Sequence, residues 1–282
     1  MLDSLTLNGL QLLGGTGYTV QQPLDGLDAP QARITTVDRA GEDGARITAA
    51  LYGSRIITIQ GSIRATTAAD FETYRKALIA SCALQRDANG YPIPLTLEFT
   101  TNAGASYFCN VIPQQPQVSI TYPTLANYML TLVVADHRVY LNGQQTSGQV
   151  STPQGGGFLY PAIYPVTLGG SSGGNVTLAN SGNIETPPTL TLHGTLTNPY
   201  ILNETTGEWM QLTATLGASD VVVIDMNEKT ITLNGTSLLS AKVSGSSWWD
   251  LNPGDNLISL SSGSTSDNGW LEVTWYNAVL GV

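Results

Sequence analysis

The feature that most limits the fold of this chain is an alternation of apolar and polar residues with period two. In "RIITIQGSI" the side chains of Ile57, Ile59 and Ile63 lie on one face of an extended strand, with Gly61 between them. "TLTLHGTL" and "WLEVTWY" repeat the pattern, and His193 falls on the threonine face of the former. Such alternation is typical of strands that bury one face and expose the other. We therefore predict a mainly β protein.

The composition favours the same fold class. Charged residues make up only 11% of the chain, and 30 residues are glycine. This mixture suits short strands joined by tight turns. The length of 282 residues is enough for two domains with separate cores.

One segment departs from the alternation. "TTAADFETYRKALIASCAL" places an apolar stripe at helical spacing, formed by Phe71, Tyr74, Leu78 and Cys82, and Thr67 with Asp70 resembles a capping box. The turn-rich string "RDANGYP" follows it. We predict a single helix at about residues 67–85.

The domain organisation follows from a Gly/Pro-rich stretch in the middle of the chain. "NGQQTSGQVSTPQGGG" and "GGSSGGN" bracket the string "FLYPAIYP", and glycine-rich runs of this kind are flexible or irregular. We predict an N-terminal β domain with the helix at 1–145, a linker at 146–174 and a C-terminal β domain at 175–282. Each half has enough strands for its own sandwich.

The charge excludes some function classes. The formal net charge is −10, and no cluster of Lys and Arg reverses it locally, so specific binding of nucleic acid is not expected. No apolar run reaches the about 18 residues that cross a bilayer, and no secretory signal opens the chain; we expect no membrane insertion. Cys82 and Cys109 fit either a reduced pair or one disulfide.

Motifs for catalysis or metal binding are weak. His137 and His193 are the only histidines and lie far apart, which argues against a zinc site. "GSSGG" at 170–174 matches a nucleophile elbow in letters but lacks the strand before it and the helix after it. Acidic residues are spread over the second half, and nothing selects a catalytic pair. We expect no enzyme, no cofactor and no catalytic, cofactor-binding or metal-ligating residue.

The string "DLNPGDN" has two readings. Asp250, Asn252, Asp255 and Asn256 offer oxygen ligands of the type that calcium takes. The string lacks the carboxylate density of a full calcium loop, and Pro253 with Gly254 suits a turn. The turn is the preferred interpretation.

Two adjacent tryptophans precede that string. If "WWDLN" is extended, neighbouring residues point to opposite faces, so Trp248 and Trp249 cannot form one flat platform. Trp249 shares its face with Leu251 and is predicted to lie in the core. Trp248 is predicted to be partly exposed and to contact a neighbouring subunit or a partner protein.

The order and spacing of several strings resemble the distal tail protein (Dit) family of bacteriophages with long, non-contractile tails. In the first half these are "LDGLDAPQARITTVDRAGEDGARI" and "LYGSRIITIQGSI", followed by the helix and a strand pair. In the second half they are "NSGNIETPPTLTLHGTLTNPYILNETTG" and "WWDLNPGDNLISL", followed by "LEVTWY". The resemblance runs over nearly the whole chain.

The resemblance implies a structural virion protein, made in the host bacterial cytoplasm and located at the distal tip of the tail. Family members form a hexameric ring of N-terminal domains that joins the tail-tube protein to the tail-associated hub protein. The C-terminal domain is then a galectin-like jelly roll that can dock receptor-binding proteins or side fibres, and DNA passes through the lumen without specific binding. An alternative is a lectin-like module that recognises host glycans. The sequence leaves the ring interface unassigned.

Overall fold

The computed structural model describes residues 1–153 and 174–282, which form almost only β-strands and one α-helix. The described chain groups into two compact units. The first comprises Met1–Asn142 with Val279–Val282, and the second comprises Gly143–Ala278. Most of the predicted linker, at 154–173, lies outside the described residues.

The first unit carries the helix α1 and the strands that precede and follow it. Their bounds are β1 (Leu2–Leu7), β2 (Leu10–Leu13), β3 (Tyr18–Val20), β4 (Ala32–Asp38), β5 (Ala45–Tyr52), β6 (Arg55–Arg64), α1 (Ala68–Ser81), β7 (Gln85–Arg86), β8 (Pro92–Ile93), β9 (Leu95–Thr101), β10 (Ser106–Tyr122), β11 (Leu125–Val134) and β12 (Val139–Leu141).

A nine-stranded sheet forms most of this unit. Its main order is β2-β1-β9-β10-β11-β6-β3, and it also includes β12 and the short strand β26 (Ala278–Val279). The 17-residue strand β10 pairs with β9 along its first part and with β11 along its second part. The end strands β2 and β3 contact each other, so the sheet curls around a single core.

The core confirms the alternation read from the sequence. Ile57, Ile59 and Ile63 of β6 are fully buried in one cluster with apolar residues of β1, β9 and β11. Gly61 stands between them because a larger side chain does not fit: a Cβ there would lie 1.9 Å from the carbonyl oxygen of Thr19.

The helix is confirmed and is shorter at its C-terminus than predicted. The Thr67 hydroxyl caps it by accepting a 3.1 Å hydrogen bond from the amide of Asp70. Phe71 and Leu78 bury the predicted stripe. The helix ends at Ser81 because the next two amides bond three residues back, which tightens the last turn.

The second unit consists of short strands in two main sheets. Their bounds are β13 (Gln145–Thr146), β14 (Val150–Ser151), β15 (Asn175–Asn180), β16 (Thr189–His193), β17 (Leu196–Thr197), β18 (Tyr200–Asn203), β19 (Glu208–Gln211), β20 (Thr215–Leu216), β21 (Val221–Asp225), β22 (Thr230–Leu233), β23 (Thr236–Ser237), a 3₁₀ turn (Leu239–Ala241), β24 (Gly254–Ser261) and β25 (Trp270–Trp275).

The two sheets pack on one core. The seven-stranded sheet has the order β13-β25-β16-β21-β22-β23, with β14 also paired to β25, and the four-stranded sheet has the order β15-β24-β18-β19. Leu190 and Val273 of the first sheet and Ile258 and Met210 of the second belong to the same buried cluster. The predicted fold class, mainly β with one helix, is confirmed. The galectin-like topology stays a prediction.

Two short segments group differently from the division drawn on the sequence. Strands β13 and β14, at the end of the predicted first domain and in the predicted linker, pair with β25 in the second unit. Val279–Val282, at the end of the predicted C-terminal domain, groups with the first unit. Both groupings depend on contacts between residues that are far apart in sequence. No helix within the described residues is long and apolar enough to span a membrane.

Candidate assembly surfaces

The hairpin β4–β5 is the most exposed apolar element in the described chain. All residues of β4 are exposed, and β5 has only one partly covered residue, Ala49. Ile34, Ile47 and Leu51 are each about 60% exposed. Monomeric proteins rarely expose contiguous apolar surface of this kind, and such patches mark interaction sites.

The register of the hairpin separates its two faces. Paired residues share a face in an antiparallel ladder, and the pairs Ala32–Tyr52, Ile34–Ala50 and Thr36–Ile47 lie on one side. The other side carries Arg33 with Leu51 and Val37 with Arg46. We call the first the apolar hairpin face (Ala32, Ile34, Ile47, Ala50, Tyr52); it ends beside the turn in the exposed pair Asp38–Ala45. We call the second the arginine hairpin face (Arg33, Val37, Arg46, Leu51). The second face therefore carries two arginines, whereas the charge on the first is confined to Asp38 at its turn end.

The base of the hairpin contacts the rest of the first unit. The amide of Gly53 donates a 3.0 Å hydrogen bond to the carbonyl oxygen of Gln31, which closes the ladder. The ring of Tyr52 stacks on the imidazole of His137 with ring centroids 5.4 Å apart. The sequence shows the signal for this element, since "ARITTVD" and "ARITAALY" flank the turn-rich "RAGEDG". It does not show that, among the described residues, no third strand pairs with β4 or β5.

A second surface lies on the outer side of the sheet formed by β10, β11, β6 and β3. Strand pairing aligns its side chains in three rows. We call it the uncharged sheet face; its residues are Thr19, Thr58, Gln60, Ser62, Gln115, Gln117, Ser119, Asn127, Met129 and Thr131. All are at least partly exposed, and none of these ten carries a charge in a chain of net charge −10. The next row on the same side contains the exposed Arg64, paired with Leu125, so the uncharged stretch ends there.

The tryptophan pair is placed as its alternation predicts. Trp249 is 1% exposed and lies in the core with Leu251, which confirms that prediction. Trp248 is partly exposed and packs at the edge of the same cluster. The ammonium of Lys242 lies 5.7 Å from the centroid of its ring. Its predicted contact with a partner protein stays a prediction.

The string "DLNPGDN" forms a closed turn. The side chain of Asn256 is fully buried; it accepts a 2.9 Å hydrogen bond from the amide of Asn252 and donates to the carbonyl oxygens of Asn252 and Gly254. Its polar atoms therefore hold the backbone of the turn. Asp250 precedes this turn and Asp255 lies within it, and the described residues contain no cluster of three or more His, Cys, Asp or Glu side chains.

The remaining sequence candidates are dispersed. His137 stacks on Tyr52 in the first unit, and His193 stacks on Trp270 in the second. Cys82 and Cys109 are buried free thiols, and burial raises the pKa of Cys109 to about 12. The first four residues of the "GSSGG" string, at 170–173, lie outside the described residues.

Two family models match the chain and together cover more than half of it. Residues 181–277 match the siphovirus-type tail component, C-terminal domain. Residues 9–82 match the phage tail protein RIFT-related domain. The chain belongs to the distal tail protein (Dit) family. Since this is a family of structural tail components, the protein is a structural part of a phage tail, and hence of the virion.

Solved structures of tail components share the fold. The SPP1 Dit protein (gp 19.1), described as a paradigm of the hub adsorption apparatus in phages that infect Gram-positive bacteria, has 14% identity and a TM-score of 0.66, with 98% of each chain covered. A chain of the activated phage P2 baseplate with calcium has 12% identity and a TM-score of 0.52, covering 94% of this chain and 92% of its own. A search of curated proteins finds no significant match.

Proposed function

We propose that this protein forms a hexameric ring at the distal end of the phage tail. The ring joins the tail-tube protein to the tail-associated hub protein and the receptor-binding apparatus. The membership in the Dit family and the fold shared with the SPP1 hub protein and the P2 baseplate chain support this role. A ring of identical subunits uses one heterologous interface that repeats until it closes.

The observation that carries the proposal is the exposed hairpin β4–β5. Its apolar hairpin face exposes Ile34 and Ile47 by about 60% each, and nothing within the described chain covers them. Docking this face on the body of the next subunit removes these side chains from water, which favours association by about 25 cal/mol per Å² of apolar surface. The arginine hairpin face then stays toward solvent, because charged groups are costly to bury.

The uncharged sheet face suits the bore of such a ring. A passing DNA molecule is held by cations and repelled by a dense row of anions. Nine of the ten residues of this face are Ser, Thr, Asn or Gln. These side chains provide neither cations that hold DNA nor anions that repel it. DNA passes such a wall without being retained.

The C-terminal unit faces outward in this proposal, as a galectin-like sandwich that docks fibres or receptor-binding proteins. Trp248 is the residue we assign to that contact or to a neighbouring subunit. A partly exposed aromatic side chain is a common anchor at protein interfaces. Its side chain packs against the core, which restricts its position before a partner binds.

The ring is tested by the double substitution Ile34→Ser with Ile47→Ser. We expect the unsubstituted chain to elute with several times its chain mass of 29.8 kDa and to show hollow rings in negative-stain images. The double variant should elute as a single chain with unchanged circular dichroism, because both side chains are solvent-exposed in the isolated subunit. The measurement is light scattering coupled to size-exclusion chromatography.

The matched control is Val37→Ser with Leu51→Ser on the arginine hairpin face. These two residues have similar exposure, 57% and 60%, and the same hairpin context. We expect this variant to keep the ring. Rings that survive the Ile34/Ile47 change, or that are lost only with the Val37/Leu51 change, contradict the assigned interface.

A further inference from the structure

A cleft of about 370 Å³ opens at one end of the seven-stranded sheet of the second unit. It lies where β16 ends, at His193, and where β21 and β25 begin, at Val221 and Trp270. Two loops complete it, one around Ser219 and Asp220 and one around Asn268. The family assignment and the proposed ring give this cleft no role.

One wall of the cleft is aromatic. His193 and Trp270 are directly paired across strands, and their rings stack with centroids 4.0 Å apart and an angle of 13° between planes. Both residues are only partly buried, and within the described chain their ring nitrogens have no hydrogen-bond partner. The wall therefore combines an apolar ring surface with unused polar atoms.

The opposite wall carries a carboxylate held in place. Asp220 accepts a 2.8 Å hydrogen bond from the amide of Gly217 and a 3.0 Å hydrogen bond from the side-chain amide of Asn234. These bonds, the backbone one first, lower the pKa of Asp220. The carboxylate stays ionised at neutral pH, and each oxygen keeps acceptor capacity for a ligand.

The third polar group is the side-chain amide of Asn268. Its oxygen accepts a 2.6 Å hydrogen bond from the Thr195 hydroxyl, and its backbone amide donates back to the same hydroxyl at 3.1 Å. The Asn268 oxygen is thus engaged, and the NH₂ group is left to donate. The cleft offers an acceptor at Asp220 and donors at Asn268 and Trp270.

The geometry points to a saccharide site: the cleft binds a neutral pyranose unit of a surface glycan. The C–H face of a sugar ring packs on the aromatic wall, and its hydroxyls, which both donate and accept, match the mixed polar groups of the other wall. An ammonium group of a peptide only donates and leaves the amide of Asn268 unmatched. An acidic sugar is disfavoured, because Asp220 repels it and no Lys or Arg lines the cleft.

The test is a titration of the full chain with the methyl glycosides of glucose, galactose and N-acetylglucosamine, followed by saturation-transfer NMR. We expect saturable binding of at least one glycoside, with a Kd on the order of 1 mM. Trp270→Ala should weaken it at least about tenfold, a change of about 1.4 kcal/mol. Asp220→Asn should also weaken the glycoside binding, and this variant provides the test if Trp270→Ala does not fold.

The matched control is Trp209→Ala, which removes another partly exposed indole of the same unit outside the cleft and should leave the sugar affinity unchanged. Glucuronic acid and an oligolysine peptide are the comparison ligands. The proposal is overturned if none of the three glycosides binds saturably, or if Trp270→Ala and Asp220→Asn do not weaken the binding. It is also overturned if only Trp209→Ala abolishes the binding, or if only the oligolysine binds. None of these outcomes depends on ring formation.

Discussion

At the scale of single residues, adjacent side chains in this chain have opposite environments. Trp249 is among the largest fully buried side chains, whereas Trp248, its neighbour, is partly exposed. The reason is local, because successive side chains of an extended segment point to opposite faces.

This difference gives a prediction about stability. Trp249→Ala should lower the free energy of unfolding of the second unit by about 3–5 kcal/mol, since the cavity left in the core collapses only in part. Trp248→Ala should cost clearly less and leave the fold intact. Chemical denaturation followed by circular dichroism measures both. A larger loss for Trp248→Ala is the result that contradicts the assignment.

At the scale of elements, the C-terminal segment Val279–Val282 completes the first unit. The guanidinium of Arg55, 4% exposed, donates to four backbone carbonyl oxygens, those of Leu27, Asp28, His137 and Leu280. The amide of Val282 donates to the carbonyl oxygen of Leu27 at 3.1 Å. One buried cation thereby holds three separate stretches of chain.

Deleting residues 279–282 should therefore destabilise the first unit. Loss of the Leu280 acceptor removes a hydrogen bond to a buried charge, worth about 1.5–3 kcal/mol. We expect faster hydrogen exchange in peptides covering β6 and unchanged exchange in peptides of the four-stranded sheet, which serve as the internal control. Equal protection of β6 with and without residues 279–282 contradicts this role.

A fragment ending at residue 145 should still assemble, but with reduced stability unless a peptide of residues 279–282 is supplied.

At the scale of the whole molecule, the two units contain ionisable groups with opposite pKa shifts. In the first unit burial raises the pKa of Tyr18 and of Cys109 to about 12 each, and it also raises those of Tyr128 and Cys82. In the second unit hydrogen bonds lower the pKa of Asp267, chiefly the one from Ser262, and that of Asp220. The Tyr and Cys side chains favour the folded first unit while they are protonated. The two Asp side chains favour the folded second unit while they are ionised.

The units should consequently lose stability at opposite ends of the pH scale. For the first unit, stability is fully present below the ordinary pKa values of 9.0 and 10.0 for Cys and Tyr and falls as the pH rises toward 12, because the unfolded chain releases these protons first. For the second unit, stability is present above the ordinary Asp value of 3.8 and falls as the pH drops below it.

The positions of the aromatic residues allow the two transitions to be measured separately. All five tryptophans, at 209, 248, 249, 270 and 275, lie in the second unit, so tryptophan emission reports on that unit alone. We expect circular dichroism and tyrosinate absorbance to change before tryptophan emission in alkali. In acid, tryptophan emission should change first. Coincident transitions at both extremes contradict independent titration of the units.

The sequence by itself determined the features that depend on near neighbours. Period-two alternation predicted β6 and the buried faces of Ile57 and Ile59, the Thr67 cap predicted the start of α1, and the spacing of Trp249 and Leu251 predicted their common core. These three predictions are confirmed because the direction of side chains repeats within a few residues in strands and helices. The family resemblance, which rested on the order of such elements, is confirmed for the same reason.

The tertiary structure alone decided which distant segments meet. Sequence reasoning selected Trp248 as the one candidate contact residue, yet the cleft is built by His193 and Trp270, which strand pairing between β16 and β25 brings together. It also did not show that Val279–Val282 returns to Arg55, or that within the described chain β4 and β5 pair only with each other. Alternation states which face of a strand is buried, but not which strand lies beside it. Pairing is chosen by the packing of the whole sheet, and no local pattern encodes that choice.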